Sequence, residues 1–254
     1  MRFQIYVIFH KTLHKDFYET IPEETFRRCI TCIGVNEEIP KSYDPWFNAS
    51  VVHEHQLADY NPLLQKQTYY ESSVYYHLTH NTIIDPYDYV GCLHYDMKIS
   101  ERTLENIQTN IDFHANTNCL FYFQLAEGEH NVCNSFETKM DGANKWNSVL
   151  QMYNEMFHTS FNLHHILYNS IPMFHSFIMP KHILLSLTPF IDKVSALILI
   201  TLKKSKSKQN SFPYHLERLW GFCLLLKKLE GILPVWIPLQ EIIHDEAVKD
   251  VKYL

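Results

Sequence analysis

The triplet His94-Tyr95-Asp96 follows directly on an apolar run, Asp88-Tyr89-Val90-Gly91-Cys92-Leu93, that reads as a buried strand. In an extended chain residues i and i+2 point to the same side, so His94 and Asp96 can converge on one ligand. An imidazole and a carboxylate at that spacing suit a divalent ion such as Mn2+, which accepts mixed nitrogen and oxygen donors. Such an ion neutralises the phosphates of a nucleoside diphosphate and stabilises it as a leaving group. A His and an Asp that merely cap a turn at the strand end are the alternative reading. Two other polar groups also follow apolar runs: His10-Lys11 after Phe3 to Phe9, and Glu127 to Glu129 after Cys119 to Leu125. Open α/β sheets bind ligands outside the carboxyl ends of their strands, so these three places are where chemistry is expected.

The elements that must position these residues alternate along the chain. Phe3 to Phe9 and Phe26 to Val35 are predicted strands, rich in β-branched and aromatic residues. Gln65 to Asn81 has helical spacing, with Tyr69, Val74, Tyr76 and Leu78 near one face. Tyr87 to His94, Cys119 to Leu125 and Ile171 to Met179 are further strands; Lys145 to His158 and Pro213 to Leu229 are helices. The stretch Ile183 to Leu202, interrupted by Pro189, Asp192 and Lys193, reads as two amphipathic core helices or a helix and a strand. Strands alternating with helices imply an α/β domain with a mostly parallel central sheet flanked by helices. No convincing linker divides residues 1–254, so a single domain is expected.

Composition removes several alternatives. The 254 residues hold only six glycines, and no two are closer than ten positions. A Walker loop, a dinucleotide fingerprint and a nucleophile elbow each need at least two glycines within about eight positions, so none of these is present. The net charge of −6 argues against a dedicated nucleic-acid binder. Among the six cysteines Cys29 and Cys32 form the one CxxC pair, within an apolar stretch that reads as buried thiols. A zinc ribbon would need a second pair. The lack of a disulfide framework suggests a reducing, cytoplasmic setting. The N-terminus reads as a strand, and Ile183 to Leu202 lacks the roughly 20 uninterrupted apolar residues of a spanning helix. A soluble protein is expected, with peripheral membrane attachment through the basic run Lys203 to Lys208 as the alternative to a solvated loop.

Tyr87 to Asp96, read as YDYVGCLHYD, resembles the DYVGLCHYRR signature of domain-of-unknown-function family 4422. Four other stretches are similar in order: Ile5 to Lys11 to the family's IYVVYHK, Tyr69 to Tyr76 to its YCELTALYW helix, Pro172 to Met179 to its NMFIM, and His215 to Trp220 to its SERLFNVWL. Members of that family occur in capsular-polysaccharide and lipopolysaccharide gene clusters and are regarded as glycosyltransferases resembling the GT-A fold. Asp96 departs from the pattern, replacing the first arginine of HYRR. That makes the triplet more like the DxD element of metal-dependent GT-A enzymes.

The resemblance implies a GT-A-like domain that binds a nucleotide-sugar donor, UDP- or GDP-linked, in about residues 1–130 and a glycan acceptor in about 131–254. By it, His10, Lys11, Glu71, Tyr95 and Arg218 bind the donor, with Lys11 meeting a phosphate as a point charge. The family pattern does not itself fix a metal; the spacing of the triplet makes Asp96 and His94 the expected ligands of Mn2+ or Mg2+, with His244 a C-terminal ligand of the sort several GT-A enzymes use. An inverting transfer needs a base for the acceptor hydroxyl; Glu217 is the first candidate and Asp141 the second. Glu217 in a plain ion pair, and Lys11, Glu71 and His244 simply on the surface, are the alternatives. A metal-dependent phosphoesterase and a non-catalytic carbohydrate-binding protein are the competing functions.

Overall fold

The computed structural model describes residues 1–123, 125–126, 143–166, 169, 171–172, 175–203, 211–237 and 241–242. Seven strands form the main sheet: β1 (Phe3–Phe9), β2 (Ile30–Gly34), β3 (Val51–His53), β4 (Tyr89–His94), β5 (Cys119–Tyr122), β6 (Phe177–Pro180) and β7 (Leu233–Trp236). Their spatial order is β7-β5-β6-β4-β1-β2-β3. All run parallel except β6, which lies antiparallel between β4 and β5. The expected mostly parallel sheet is therefore present.

All seven residues of β1 are buried, because it lies between β4 and β2 and both faces are covered. Alternation sorts its side chains. Tyr6 and Ile8 face one core, with Cys92, Val74, Tyr75 and Trp220. Ile5, Val7 and Phe9 face the other, with Phe26, Leu104 and Ile107. The helices divide in the same way. Helices α1 (Glu23–Cys29) and α3 (Glu101–Phe113) cover the second face. Helices α2 (Glu71–Thr79), α4 (Ala143–Phe157), α5 (Lys181–Lys203) and α6 (Phe212–Leu229) cover the first.

Three expectations are corrected. Phe26 to Cys29 is not strand but the end of α1, where Glu23 and Glu24 at the start and Arg27 and Arg28 at the end match the helix dipole. Cys29 closes that helix and Cys32 lies in β2; both are free, buried thiols, and burial pushes the Cys32 thiol up, away from the reactive thiolate. Gln65 to Asn81 is broken: a short helix, Pro62–Lys66, ends before Thr68 and Tyr70, both at positive φ (62° and 46°), and α2 then starts at Glu71. Ile183 to Leu202 belongs to one continuous helix, α5, with Pro189 inside it. Its packed side, including Leu184, Leu187, Phe190 and Val194, holds the helix together across the missing hydrogen bond. Among the described residues α5 is the one helix long and apolar enough, by length and composition, to cross a membrane.

The close approach of β4 and β6 depends on Gly91. A Cβ there would stand 2.0 Å from the Phe177 carbonyl oxygen and 2.5 Å from the Ile178 Cα. Only hydrogen fits at that crossing.

Candidate functional site

Strand register sets the site. Ile8 of β1 pairs with His94 of β4, and His10 follows two residues beyond Ile8 on the same face. That face is the one covered by α2, whose first residue is Glu71. Three separate elements thus deliver His10, Glu71 and His94 to one point at the carboxyl ends of the central strands.

The three side chains are 18%, 17% and 22% exposed, sheltered but reachable. Glu71 Oε1 lies 2.6 Å from His10 Nε2 and 3.6 Å from His94 Nε2. On its other side His94 Nδ1 meets Asp96 Oδ1 at 2.5 Å. Asp96 lies in the turn that follows β4 and not in extended chain, and it bonds to His94 there. Burial works against charge here and the close pairs overrule it. Desolvation would raise the Glu71 carboxyl, yet His10 and His94 hold it well below the usual carboxylate range. Desolvation would lower the His94 imidazole, yet Asp96 and Glu71 raise it to about 10.

Tyr95 is buried, 4% exposed, with its ring edge-on to His10 at 5.9 Å and tilted against His94 at 4.7 Å. It braces the two imidazoles and does not offer a sugar an open face. Lys11, next to His10, is exposed.

Behind the cluster lies a second polar layer that the residue pattern did not reveal. His175, at φ 49°, shares a 2.7 Å hydrogen bond between its Nε2 and Ser72 Oγ, and its carbonyl accepts from the Tyr75 hydroxyl at 2.6 Å. The Ser176 hydroxyl accepts from the His94 backbone N–H at 3.0 Å. Desolvation by burial lowers the His175 imidazole, with Glu217, Glu71, His94 and Arg218 all close enough to act on it. Glu217 and Arg218 on α6 therefore border the same region. Arg218 Nη1 donates to Glu217 Oε2 at 2.5 Å, while Arg218 Nε is buried with no hydrogen-bond partner among the described residues. Asp141, His244 and Glu127 to Glu129 lie outside the described residues.

The start of α2 is fixed by a buried carboxylate. Glu54, 1% exposed, accepts from Ser73 Oγ and from Gln65 Nε2 at 2.7 Å, and lies 2.9 Å from His77 Nδ1. Asn61 N–H donates to His77 Nε2 at 3.0 Å, so the imidazole proton sits on Nδ1 and points at Glu54. Glu54→Ala would strand these partners inside the protein. We expect it to cost about 3–5 kcal/mol, the range for breaking a buried pair, read from urea unfolding. An unchanged midpoint would mean the network is dispensable.

A groove of about 480 Å³ opens beyond the ends of β2 and β3, lined by Glu37, Pro40, Lys41, Tyr43, His53 and His55. The His53 and His55 rings stack at 5.5 Å. Lys41 donates to the carbonyls of Asn36 and Ile39 at 2.7 and 2.5 Å. Desolvation by burial lowers its ammonium to about 8, against the pull of Glu54.

No family model and no curated protein matches this chain, so the likeness to family 4422 stays a resemblance of motifs. Among solved structures the chain is similar to the apo structure of the bifunctional glycosyltransferase WbbM, with a TM-score of 0.59 and 14% identity. The match covers 96% of this chain and 46% of that one, so the chain spans about half the length of that protein. At this identity the likeness is one of fold alone: an α/β domain with a mostly parallel seven-stranded sheet flanked by helices.

Proposed function

We propose that this chain is a glycosyltransferase that moves a sugar from a nucleotide-sugar donor, UDP- or GDP-linked, to a glycan acceptor. The observation that carries the reading is the convergence of His10, Glu71 and His94 at the carboxyl ends of the central strands in a glycosyltransferase fold. That is where open α/β sheets take their ligands. The groove at Lys41, Tyr43 and His53 continues the same sheet edge, and a nucleoside with flat aromatic neighbours suits it. The diphosphate then lies toward His10 and Lys11, and the sugar toward His175 and Arg218.

A divalent cation suits this site and would neutralise the diphosphate as the glycosidic bond breaks. The chain's own residues do the remaining work. Lys11 adds a positive charge at the phosphates, and the buried Arg218 Nε, with no partner among the described residues, supplies a donor to the ligand. Glu217 takes the proton of the acceptor hydroxyl as its oxygen bonds to the anomeric carbon. The bond from that carbon to the diphosphate oxygen breaks, and the electron pair leaves with the nucleoside diphosphate.

A thermal-shift panel of UDP, GDP, CMP and dTDP and their sugar conjugates, with and without Mn2+, tests the donor class. A ligand at a hundred times its Kd stabilises the fold by about 2.7 kcal/mol, or roughly 5–10 °C in a chain of this size. A shift with one nucleotide supports the reading and names its base; no shift with any member contradicts it. The groove also predicts a pH dependence. An anionic ligand favours charged Lys41, so nucleotide affinity should fall as pH rises through about 8, where Lys41 loses its proton. Lys41→Met should bind more weakly at pH 7 and lose that dependence; retention of it would place the nucleotide elsewhere.

A further inference from the structure

We propose that His10, Glu71 and His94 form a two-histidine, one-carboxylate site for a transition-metal dication, and that Asp96 orients His94 from behind instead of ligating the ion. This differs from the set that the sequence suggests, in which His94, Asp96 and His244 share the metal.

The ligand atoms of His10, Glu71 and His94 all lie within 4.8 Å of one another. One carboxylate oxygen, Glu71 Oε1, faces the Nε2 atoms of both imidazoles. The independent observation is the partner of the other His94 nitrogen. A neutral imidazole offers a metal only the nitrogen that carries no proton. Asp96 Oδ1, 2.5 Å from Nδ1, holds the proton on that nitrogen, so a dication displaces only the proton on Nε2, the atom that faces Glu71. A carboxylate behind a ligating histidine is the arrangement that fixes tautomer and ring orientation at metal sites. Tyr95 packs against both imidazoles and restrains them further.

The donor set dictates the ion. Two imidazole nitrogens and one carboxylate favour Mn2+, Fe2+, Co2+ or Zn2+ over Mg2+ and Ca2+, which prefer oxygen. Three protein ligands leave coordination positions for phosphate oxygens. The inference deepens the transferase reading, but the site is tested without donor or acceptor.

The full chain, stripped by chelator dialysis, is titrated with MnCl2 and with MgCl2, and bound Mn2+ is examined by pulsed electron paramagnetic resonance for 14N coupling. The expected result is one Mn2+ per chain, bound more tightly than Mg2+, with 14N coupling from two imidazoles. His10→Ala and His94→Ala should each remove one nitrogen. Asp96→Asn should keep both nitrogens while weakening affinity by about 10–100-fold, the range for losing such an orienting partner. His114→Ala, at the end of α3 on the opposite face of the sheet, should leave Mn2+ binding and both couplings unchanged. No saturable Mn2+ binding, or binding without 14N coupling, overturns the site. So does coupling that survives in both His10→Ala and His94→Ala. Nucleotide binding by a chain that takes up no Mn2+ overturns the metal site and leaves the transferase reading standing. Nitrogen-coupled Mn2+ without any nucleotide binding supports the site and counts against the transferase.

Discussion

Glu71→Gln is expected to lower sugar transfer by about 10²–10³-fold, the usual loss when one fixed electrostatic group at a reacting centre is removed. Glutamine keeps the shape and one oxygen but carries no charge, and Glu71 Oε1 faces the Nε2 atoms of both His10 and His94. The backbone should hold its place, because the start of α2 is fixed by Glu54 through Ser73 and His77, not by Glu71. Stability should change modestly, with a defined sign. The Glu71 carboxyl titrates lower folded than unfolded, so its stabilisation is complete above the usual carboxylate range and is lost as pH falls. The variant should therefore lie closer to the wild type in acid than at neutral pH. Initial rates of nucleoside diphosphate release, with urea unfolding at two pH values, check both parts. Full activity in Glu71→Gln would remove the cluster from the mechanism.

Gly91→Val should be the most damaging substitution for the fold. Its Cβ would overlap the backbone of β6 at Phe177 and Ile178, and backbone cannot rotate away as a side chain can. Overpacking by methyl groups in a tight core already costs about 1–3 kcal/mol, and here two central strands must separate. The same displacement would pull His94 from Ile8 and Ser176 from the His94 N–H. We expect loss of the cooperative urea transition, or failure to fold. Gly91→Ala, with the same Cβ, should be the milder form, destabilised and weakly active. A Gly91→Ala protein with an unchanged midpoint would contradict the packing described here.

What was legible in the chain follows local pattern. β1 and β4 are legible from their apolar runs, and the polar residues at and just beyond their ends, His10, Lys11, His94 and Asp96, from the rule that ligands sit at strand ends. The helices Ala143–Phe157 and Phe212–Leu229 followed from spacing. What failed depended on tertiary contacts. The break at Thr68 and Tyr70 is held by Gln65 and Ser73 on either side of it, both bonded to Glu54 from an earlier segment. Pro189 suggests a helix end, yet packing against α6 carries α5 through it. His175 gave no local signal beyond lying in an apolar stretch; its role appears only when Ser72 and Tyr75, about a hundred positions away, reach it. Asp96 was found for its spacing, but its bonding to His94 could be seen only in three dimensions.

The most direct test of the central claim is donor turnover by the purified chain. Each common nucleotide sugar is incubated with the protein and Mn2+, and release of the nucleoside diphosphate is followed with time. The account predicts release from one donor class, accelerated by a glycan acceptor and lost in Glu71→Gln. Hydrolysis of simple phosphoesters, with no preference for a nucleotide sugar and no response to acceptor, would contradict it.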